Sequence, residues 1–194
     1  MKTNLAVPFA TFLVFMTACT TGRKIPATST IERMGVVYKI HATEPLTGTT
    51  LTYHLNGRSE RRTEYRDGIK HGKEEEWFKD GNKSSLANWQ NGIRHGEQTE
   101  WYENGKKSFQ GNMAEGKWIG ECRGWYPDGQ EAFRISFLDG KGRGNPIEIR
   151  WNNDNLIRTF PDVKVDGEWI EWHPSGRITR HEKWLDGELV QKIL

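Results

Sequence analysis

Apolar and polar residues alternate along most of this chain in short runs, and no run keeps the 3.6-residue period of a helix. Trp77 lies five residues after Gly72, and Trp101 lies five residues after Gly96, which defines a period of 24 residues. Alternation of this kind predicts half-buried β-strands, and the Asx-Gly pairs between the runs predict hairpins.

The 24-residue period covers six units between Gly48 and Gly187. Internal repeats of this length indicate an array in which neighbouring units stabilise one another. The glycines that lead the units are Gly48, Gly72, Gly96, Gly120, Gly144 and Gly167. A first aromatic column comprises Tyr53, Trp77, Trp101, Trp125, Trp151 and Trp172, and a second column comprises Tyr65, Trp89, Met113, Phe137, Phe160 and Trp184.

Turn glycines follow both columns and set the predicted hairpins. A type I′ turn requires positive φ at both central positions, which Asn, Asp and Gly tolerate. The spacing predicts about twelve strands of roughly seven to ten residues. With a hydrophobic content of 35%, the predicted fold is all-β, an elongated single-layer antiparallel meander of repeated hairpins. The turn glycines with a predicted structural role are Gly57, Gly68, Gly81, Gly92, Gly105, Gly129, Gly140 and Gly176.

The aromatic residues are the candidate recognition groups. Trp77, Trp101 and Trp125 recur at one register, which predicts a ladder of contacts between adjacent rings. The residue after each Trp points to the opposite face of the strand. That second set either lies half covered by Lys and Arg stems or forms an exposed aromatic strip. The candidate partner-binding residues are Phe78, Trp101, Tyr102, Trp125, Tyr126 and Trp172.

Composition and spacing argue against several function classes. The net charge of +2, with both signs interspersed, gives no basic patch for nucleic acid. His71 and His95 occupy the same repeat position without a nucleophile or an orienting partner, so we expect no enzyme. No spacing matches a metal site, and the glycines form no phosphate loop, so no cofactor is predicted. Cys122 is interpreted as structural.

The N-terminus has the pattern of an export signal. Residues 1–18 carry Lys2 and then an apolar run of about fourteen residues, which is too short to span a bilayer of roughly 30 Å. The sequence Met-Thr-Ala-Cys that ends at Cys19 resembles the lipobox of bacterial lipoproteins, which implies lipid attachment at Cys19. The alternatives are an ordinary cleaved signal and an N-terminal helix in which the cysteine is coincidental. Residues 19–34 are predicted to be a flexible tether, and residues 35–194 the repeat domain.

The motif WQNGIRHG from Trp89 to Gly96, followed by WYENG from Trp101 to Gly105, resembles the MORN repeat. It is most similar to the variant repeats of YwqK-family antitoxins. The resemblance implies elongated single-layer sheets and a non-enzymatic protein that binds a partner, with toxin neutralisation as the best-known role.

These inferences combine into one expected function and one alternative. We expect a protein-binding repeat module in the bacterial cell envelope, anchored to the membrane through its N-terminal lipid and antitoxin-like or immunity-like. Thr20 after Cys19 favours the outer membrane in a Gram-negative host. The expected partner is another protein, either toxin-like or an envelope component. The alternative is an envelope structural protein that binds glycan or peptidoglycan, or self-associates.

Overall fold

The computed structural model describes residues 24–142, 148–152, 155–159 and 165–194. The described chain is β-structure with a single short 3-10 helix, Ala27–Ser29, so the predicted all-β class is confirmed. The strands are β1 (Lys24–Pro26), β2 (Thr30–Arg33), β3 (Val36–Lys39), β4 (Gly48–Tyr53), β5 (Ser59–Arg66), β6 (Ile69–Trp77), β7 (Lys83–Gln90), β8 (Ile93–Trp101), β9 (Lys107–Ala114), β10 (Lys117–Trp125), β11 (Glu131–Gly142), β12 (Glu148–Asn152), β13 (Asn155–Thr159), β14 (Gly167–Trp172), β15 (Ile178–Leu185) and β16 (Glu188–Lys192).

Twelve of these strands form one open sheet, in the order β1, β4 to β11, β14, β15 and β16. Every neighbouring pair from β4 onwards is antiparallel, as the predicted meander requires, whereas β1 runs parallel to β4. The strands β12 and β13 form a separate hairpin. The pair β2 and β3 also forms a hairpin, in a segment whose first half was predicted as tether. That hairpin closes at Met34-Gly35, where both residues have positive φ.

The turns of the main sheet are of two kinds, and this differs from the prediction of type I′ turns throughout. Both central residues have positive φ only at Asp67-Gly68, Asn91-Gly92, Glu115-Gly116 and Asp186-Gly187. The other turns, with positive φ at the glycine alone, end at Gly57, Gly81, Gly105, Gly129 and Gly176.

The second kind of turn is a three-residue loop with a bulge. In one example, the Tyr102 N–H donates to the Lys106 carbonyl and the Gly105 N–H donates to the Tyr102 carbonyl, each at 2.9 Å. This is a type I turn followed by a glycine in the left-handed conformation. The Asn104 Oδ1 accepts from the Lys106 N–H at 3.0 Å, an Asx contact that stabilises this loop. The type I′ prediction is wrong for these turns.

One predicted turn is absent. Asp139-Gly140 lies inside β11, which continues to Gly142 and pairs there with Trp118. The structural role predicted for Gly140 as a turn residue is therefore wrong. The local Asp-Gly signal is overridden by pairing with β10, because tertiary context can override a turn propensity.

The leading glycines mark bulges within strands. Gly72, Gly96 and Gly120 have φ of +99°, +83° and +64°, and the register of the neighbouring pairs shifts beside each of them. A bulge bends a strand and increases its twist. The 24-residue period therefore repeats one turn of each kind together with one bulge.

The apolar core lies in the C-terminal half of the sheet. Residues of β9, β10 and β11 dominate it, and the Phe109 ring meets the Trp118 ring edge-on with centroids 5.2 Å apart. The core comprises Phe109, Met113, Trp118, Cys122, Tyr126, Ala132, Phe133, Ile135, Phe137 and Val165, with Trp169 and Trp184 packed against it. In the remainder of the sheet, buried apolar residues such as Leu51 and Ala87 lie among buried polar residues such as Thr63, Glu74 and Gln98.

Candidate functional site

The two sheet faces carry different side chains. We call face A the surface that carries Glu74, Ala87 and Gln98, which are paired across β6, β7 and β8. Residues two positions apart on a strand share a face. A second column of face A therefore contains Glu76, Ser85 and Glu100, which are also paired across these strands. Face B is the opposite surface and carries Glu75, Leu86 and Thr99.

Face A has a groove of about 370 Å³ over β6, β7 and β8. Its floor is closed, since Gln98 and Ala87 are buried. Phe78 and Trp101, both only partly buried, also line it. The other lining residues are Glu74, Glu76, Ser84, Ser85, Leu86, Arg94, Thr99 and Glu100. The groove thus combines carboxylates and small polar residues with the Phe78 ring, which lies on the same face as Glu76.

Two of the groove carboxylates have partners. Glu74 is buried and accepts hydrogen bonds from Thr63 Oγ1 at 3.1 Å and from Lys70 Nζ at 2.5 Å. Glu76 Oε1 lies 2.6 Å from Arg61 Nε. These contacts hold both carboxylates in place, because a paired and hydrogen-bonded carboxylate is stabilised in its charged form.

Glu100 lacks such a partner. No ion pair or hydrogen bond joins its carboxylate to any part of the chain that the structure describes. Its side chain reaches solvent, yet desolvation by the surrounding groove raises the pKa of the Glu100 carboxyl above its usual value. The Glu76 carboxylate raises that pKa further, and Arg94 opposes the rise. The charged form of Glu100 is therefore under-compensated, which is a common property of binding and catalytic groups.

The base of the groove is stiffened by a cation–π arrangement. The Trp89 ring lies 4.5 Å from Lys70 Nζ and 5.2 Å from the Arg94 guanidinium carbon. Arg94 also donates to Gln98 Oε1 at 3.3 Å. Contacts of this kind stabilise by roughly 0.5–1 kcal/mol at exposed sites. They fix Lys70 and Arg94 to structural partners.

The predicted tryptophan ladder does not form. Trp77, Trp101 and Trp125 lie on β6, β8 and β10, so an intervening strand separates each pair by about two strand spacings, roughly 9.6 Å. Lys83 occupies the space between, opposite Trp77 and with Nζ 6.0 Å from the Trp101 ring. The column therefore alternates indoles with lysine, and ring contacts between these three residues are absent.

The tyrosines after the Trp column are anchored to the next unit. The Tyr102 hydroxyl donates to the Trp125 carbonyl at 2.6 Å, and the Tyr126 hydroxyl donates to the Trp172 carbonyl at 2.7 Å. Tyr126 is buried in the core, so it is neither half covered by Lys and Arg stems nor part of an exposed aromatic strip. Trp125, Trp172 and Tyr102 are partly buried. Of the predicted partner-binding residues, only Phe78 and Trp101 meet at the groove.

Other sequence candidates have structural surroundings. His71 Nδ1 lies 3.2 Å from Asn91 Oδ1 in the next turn, which explains a repeated histidine without catalysis. Cys122 is fully buried, and burial raises the pKa of its thiol to about 12. Within the described ranges, no cluster of His, Cys, Asp and Glu could hold a metal ion. Residues 1–18 and Cys19 lie outside the described residues.

The groove itself was missed by sequence reasoning. Glu76, Ser85, Gln98 and Glu100 look like ordinary solvated strand residues, and most such residues are. A signal exists nevertheless in the repeat, because the positions equivalent to Ser85 are Phe109 and Phe133, 24 residues apart. A column that changes from polar to aromatic marks a face with two different environments.

The geometry defines an all-β repeat protein with an open groove over β6 to β8. Residues 94–114 match the family described as a MORN repeat variant, so the resemblance found in the sequence is shown for this segment. A search of curated proteins gives no match to the chain. A MORN repeat suggests a repeat module for binding, and the family is generally non-enzymatic. No helix within the described residues is long and apolar enough to cross a membrane.

Proposed function

We propose that this chain is a non-enzymatic repeat module that binds another protein through the groove of face A. The observation that carries the proposal is the groove over β6 to β8, in which the exposed carboxylate of Glu100 lies with Glu76 and Phe78 above a closed floor. The MORN repeat match at residues 94–114 supports a binding role and includes Arg94, Gln98 and Glu100.

The groove fits an extended segment with a Lys or Arg side chain. A cation placed between Glu76 and Glu100 would relieve their mutual repulsion and form charge-assisted hydrogen bonds. Phe78, which lies two residues after Glu76 on the same face, would cover the apolar stem of that side chain or the residue beside it. Buried aromatic anchors and paired charges are the usual centres of protein interfaces.

The binding test is titration calorimetry with an extended peptide that alternates Lys with apolar residues. The parent should bind it, and the double variant Glu76→Gln/Glu100→Gln should bind at least about tenfold more weakly, since each hydrogen bond to a charged group contributes about 1.5–3 kcal/mol. The matched control is Glu103→Gln/Glu115→Gln, which removes the same charge from exposed turns. If peptide binding is weakened equally in both double variants, the loss is caused by the change in net charge, and the groove is not the binding site.

The proposed location is the bacterial cell envelope, with Cys19 as the lipid attachment site. The apolar run before Cys19 and the small residues next to it support this proposal. If the partner is a toxin, it should then be one that is delivered to the envelope or acts there, so that the chain is immunity-like. Cys19→Ser should move the protein from the membrane to the soluble fraction; membrane retention of Cys19→Ser would argue against lipid anchoring.

The alternative, an envelope structural protein that binds glycan or peptidoglycan, rests on face B. Trp77, Trp101 and Trp125 are partly exposed there beside Lys83, and aromatic faces suit sugar rings. Co-sedimentation with purified cell wall that persists in Glu76→Gln/Glu100→Gln but is lost in Trp77→Ala/Trp125→Ala would favour this alternative over the groove.

A further inference from the structure

The two outer edges of the main sheet are unlike each other. At one edge, the three-residue β1 covers β4 in parallel, and Pro26 lies opposite Leu51. Proline is a device that prevents a sheet edge from pairing further. At the other edge, β16 pairs with β15 on one side only, and all five of its residues are exposed.

The open edge carries an unusual density of exposed apolar side chains. Leu189 is 47% exposed, Val190 62% and Ile193 44%. Exposed apolar residues on an edge strand favour pairing with another strand, because the pairing buries them and satisfies the backbone groups of the edge. The corresponding edge strand β1 contains a single apolar side chain of comparable kind, Ile25, and it is partly buried.

The charges of β16 are complementary to those of its own antiparallel copy. The strand begins with Glu188 and ends with Lys192, and the residues between them are uncharged. In an antiparallel pair of identical strands, the beginning of one lies beside the end of the other. Each Glu188 would therefore lie near a Lys192 of the second copy, and opposite charges across strands are stabilising.

We infer that β16 pairs with β16 of a second copy of this chain, which continues the sheet across a two-fold axis. The symmetry makes the contact isologous, with Leu189 and Ile193 of both copies on one face of the continued sheet and Val190 of both copies on the other. Because an isologous contact uses the same edge of both copies, the association closes at a dimer and does not extend into a fibre. This inference is independent of the groove, which lies at β6 to β8.

The test uses analytical ultracentrifugation of the full chain over a concentration series. The parent should show a concentration-dependent dimer. Glu188→Lys alone should place Lys beside Lys, and Lys192→Glu alone should place Glu beside Glu, so each should dimerise at least about tenfold more weakly. A mixture of the two single variants should recover dimerisation, because the heterodimer has opposite charges at both contacts.

The matched control is Glu103→Lys, an equal charge change at an exposed turn far from β16 along the sheet. It should leave the dimer unchanged. A parent that stays monomeric would overturn the inference and assign the edge to a different protein. A dimer that Glu188→Lys and Lys192→Glu leave intact, or a mixture that fails to recover it, would also overturn the inference.

Discussion

Face A has two halves with the same repeated backbone structure and different side chains at the equivalent positions. Around β6 to β8, the column through Ser85 and Glu100 is polar and the groove is open. Around β9 to β11, the same column contains Phe109, Gly124 and Phe133, and the space is filled. Because the repeat positions correspond, the same backbone fold accepts either polar or aromatic side chains in this column.

The comparison shows how one array separates stability from recognition. Gly124 replaces the glutamate found at the equivalent position, Glu100, and a Cβ atom added to it would lie 2.0 Å from Phe133 Cε1. The packed half therefore needs glycine there so that the aromatic ring can fill the space. Glu100 sits at the same repeat position without such a ring, and its side chain extends into the groove. Burial of apolar area stabilises the packed half around β9 to β11. Polar surface remains available for binding in the half around β6 to β8.

The largest expected effect is in the packed half. Phe133→Ala should lower the free energy of unfolding by about 3–5 kcal/mol, because a fully buried ring is removed and a cavity remains. Its repeat counterpart Ser85→Ala should change the free energy of unfolding by less than about 0.5 kcal/mol. Urea unfolding of both variants measures the difference. Similar losses in the two variants would mean that the halves are equally packed.

A smaller effect is expected where the tyrosines join neighbouring units. Tyr126→Phe removes the hydrogen bond to the Trp172 carbonyl and should lower the free energy of unfolding by about 1 kcal/mol. Phe78 stands at the equivalent repeat position and lacks a hydroxyl. The array evidently tolerates one unit without this bond. A Tyr126→Phe midpoint in urea that equals that of the parent would show that the bond adds no net stability.

The smallest stability effect concerns Glu100 and depends on pH. Its folded-state pKa is raised above 4.5, so the native state binds more protons than the unfolded state just above that value. Ionisation of Glu100 in the native state therefore lowers the free energy of unfolding. The full loss is present above the folded-state pKa of Glu100, and there is no loss below its unfolded-state pKa. Glu100→Gln should raise the thermal midpoint at pH 7, and the gain should vanish below about pH 4. A lower midpoint for Glu100→Gln at pH 7 would contradict this account.

The sequence predicted the repeat frame because the turns and the aromatic columns are local signals. Gly57 and Gly105 have the positive φ that a closing turn residue needs. The turn types were not predictable from Asx-Gly pairs alone, since Asn104 uses its side chain to stabilise a three-residue loop. The missing ladder has a geometric cause, because Trp77 and Trp101 are two strands apart with Lys83 between them.

The groove could not be read from local pattern. Glu76 and Glu100 come within electrostatic range only because β7 brings β6 and β8 together, and a carboxylate's pKa depends on such neighbours. The burial of Tyr126 likewise depends on β14 following β11 in the sheet, with the hairpin of β12 and β13 left outside it. Both outcomes depend on how strands distant in sequence are arranged.

The most direct measurement is an amide chemical-shift titration of the labelled protein with the alternating Lys peptide. The division of face A predicts that perturbed amides cluster on β6 to β8, at residues such as Ala87, Gln98 and Glu100. Amides of Phe109, Cys122 and Phe133 in the packed half should remain unshifted. Perturbations centred on the packed half, or spread evenly over the repeat units, would contradict the claim that one half stabilises the fold while the other half binds.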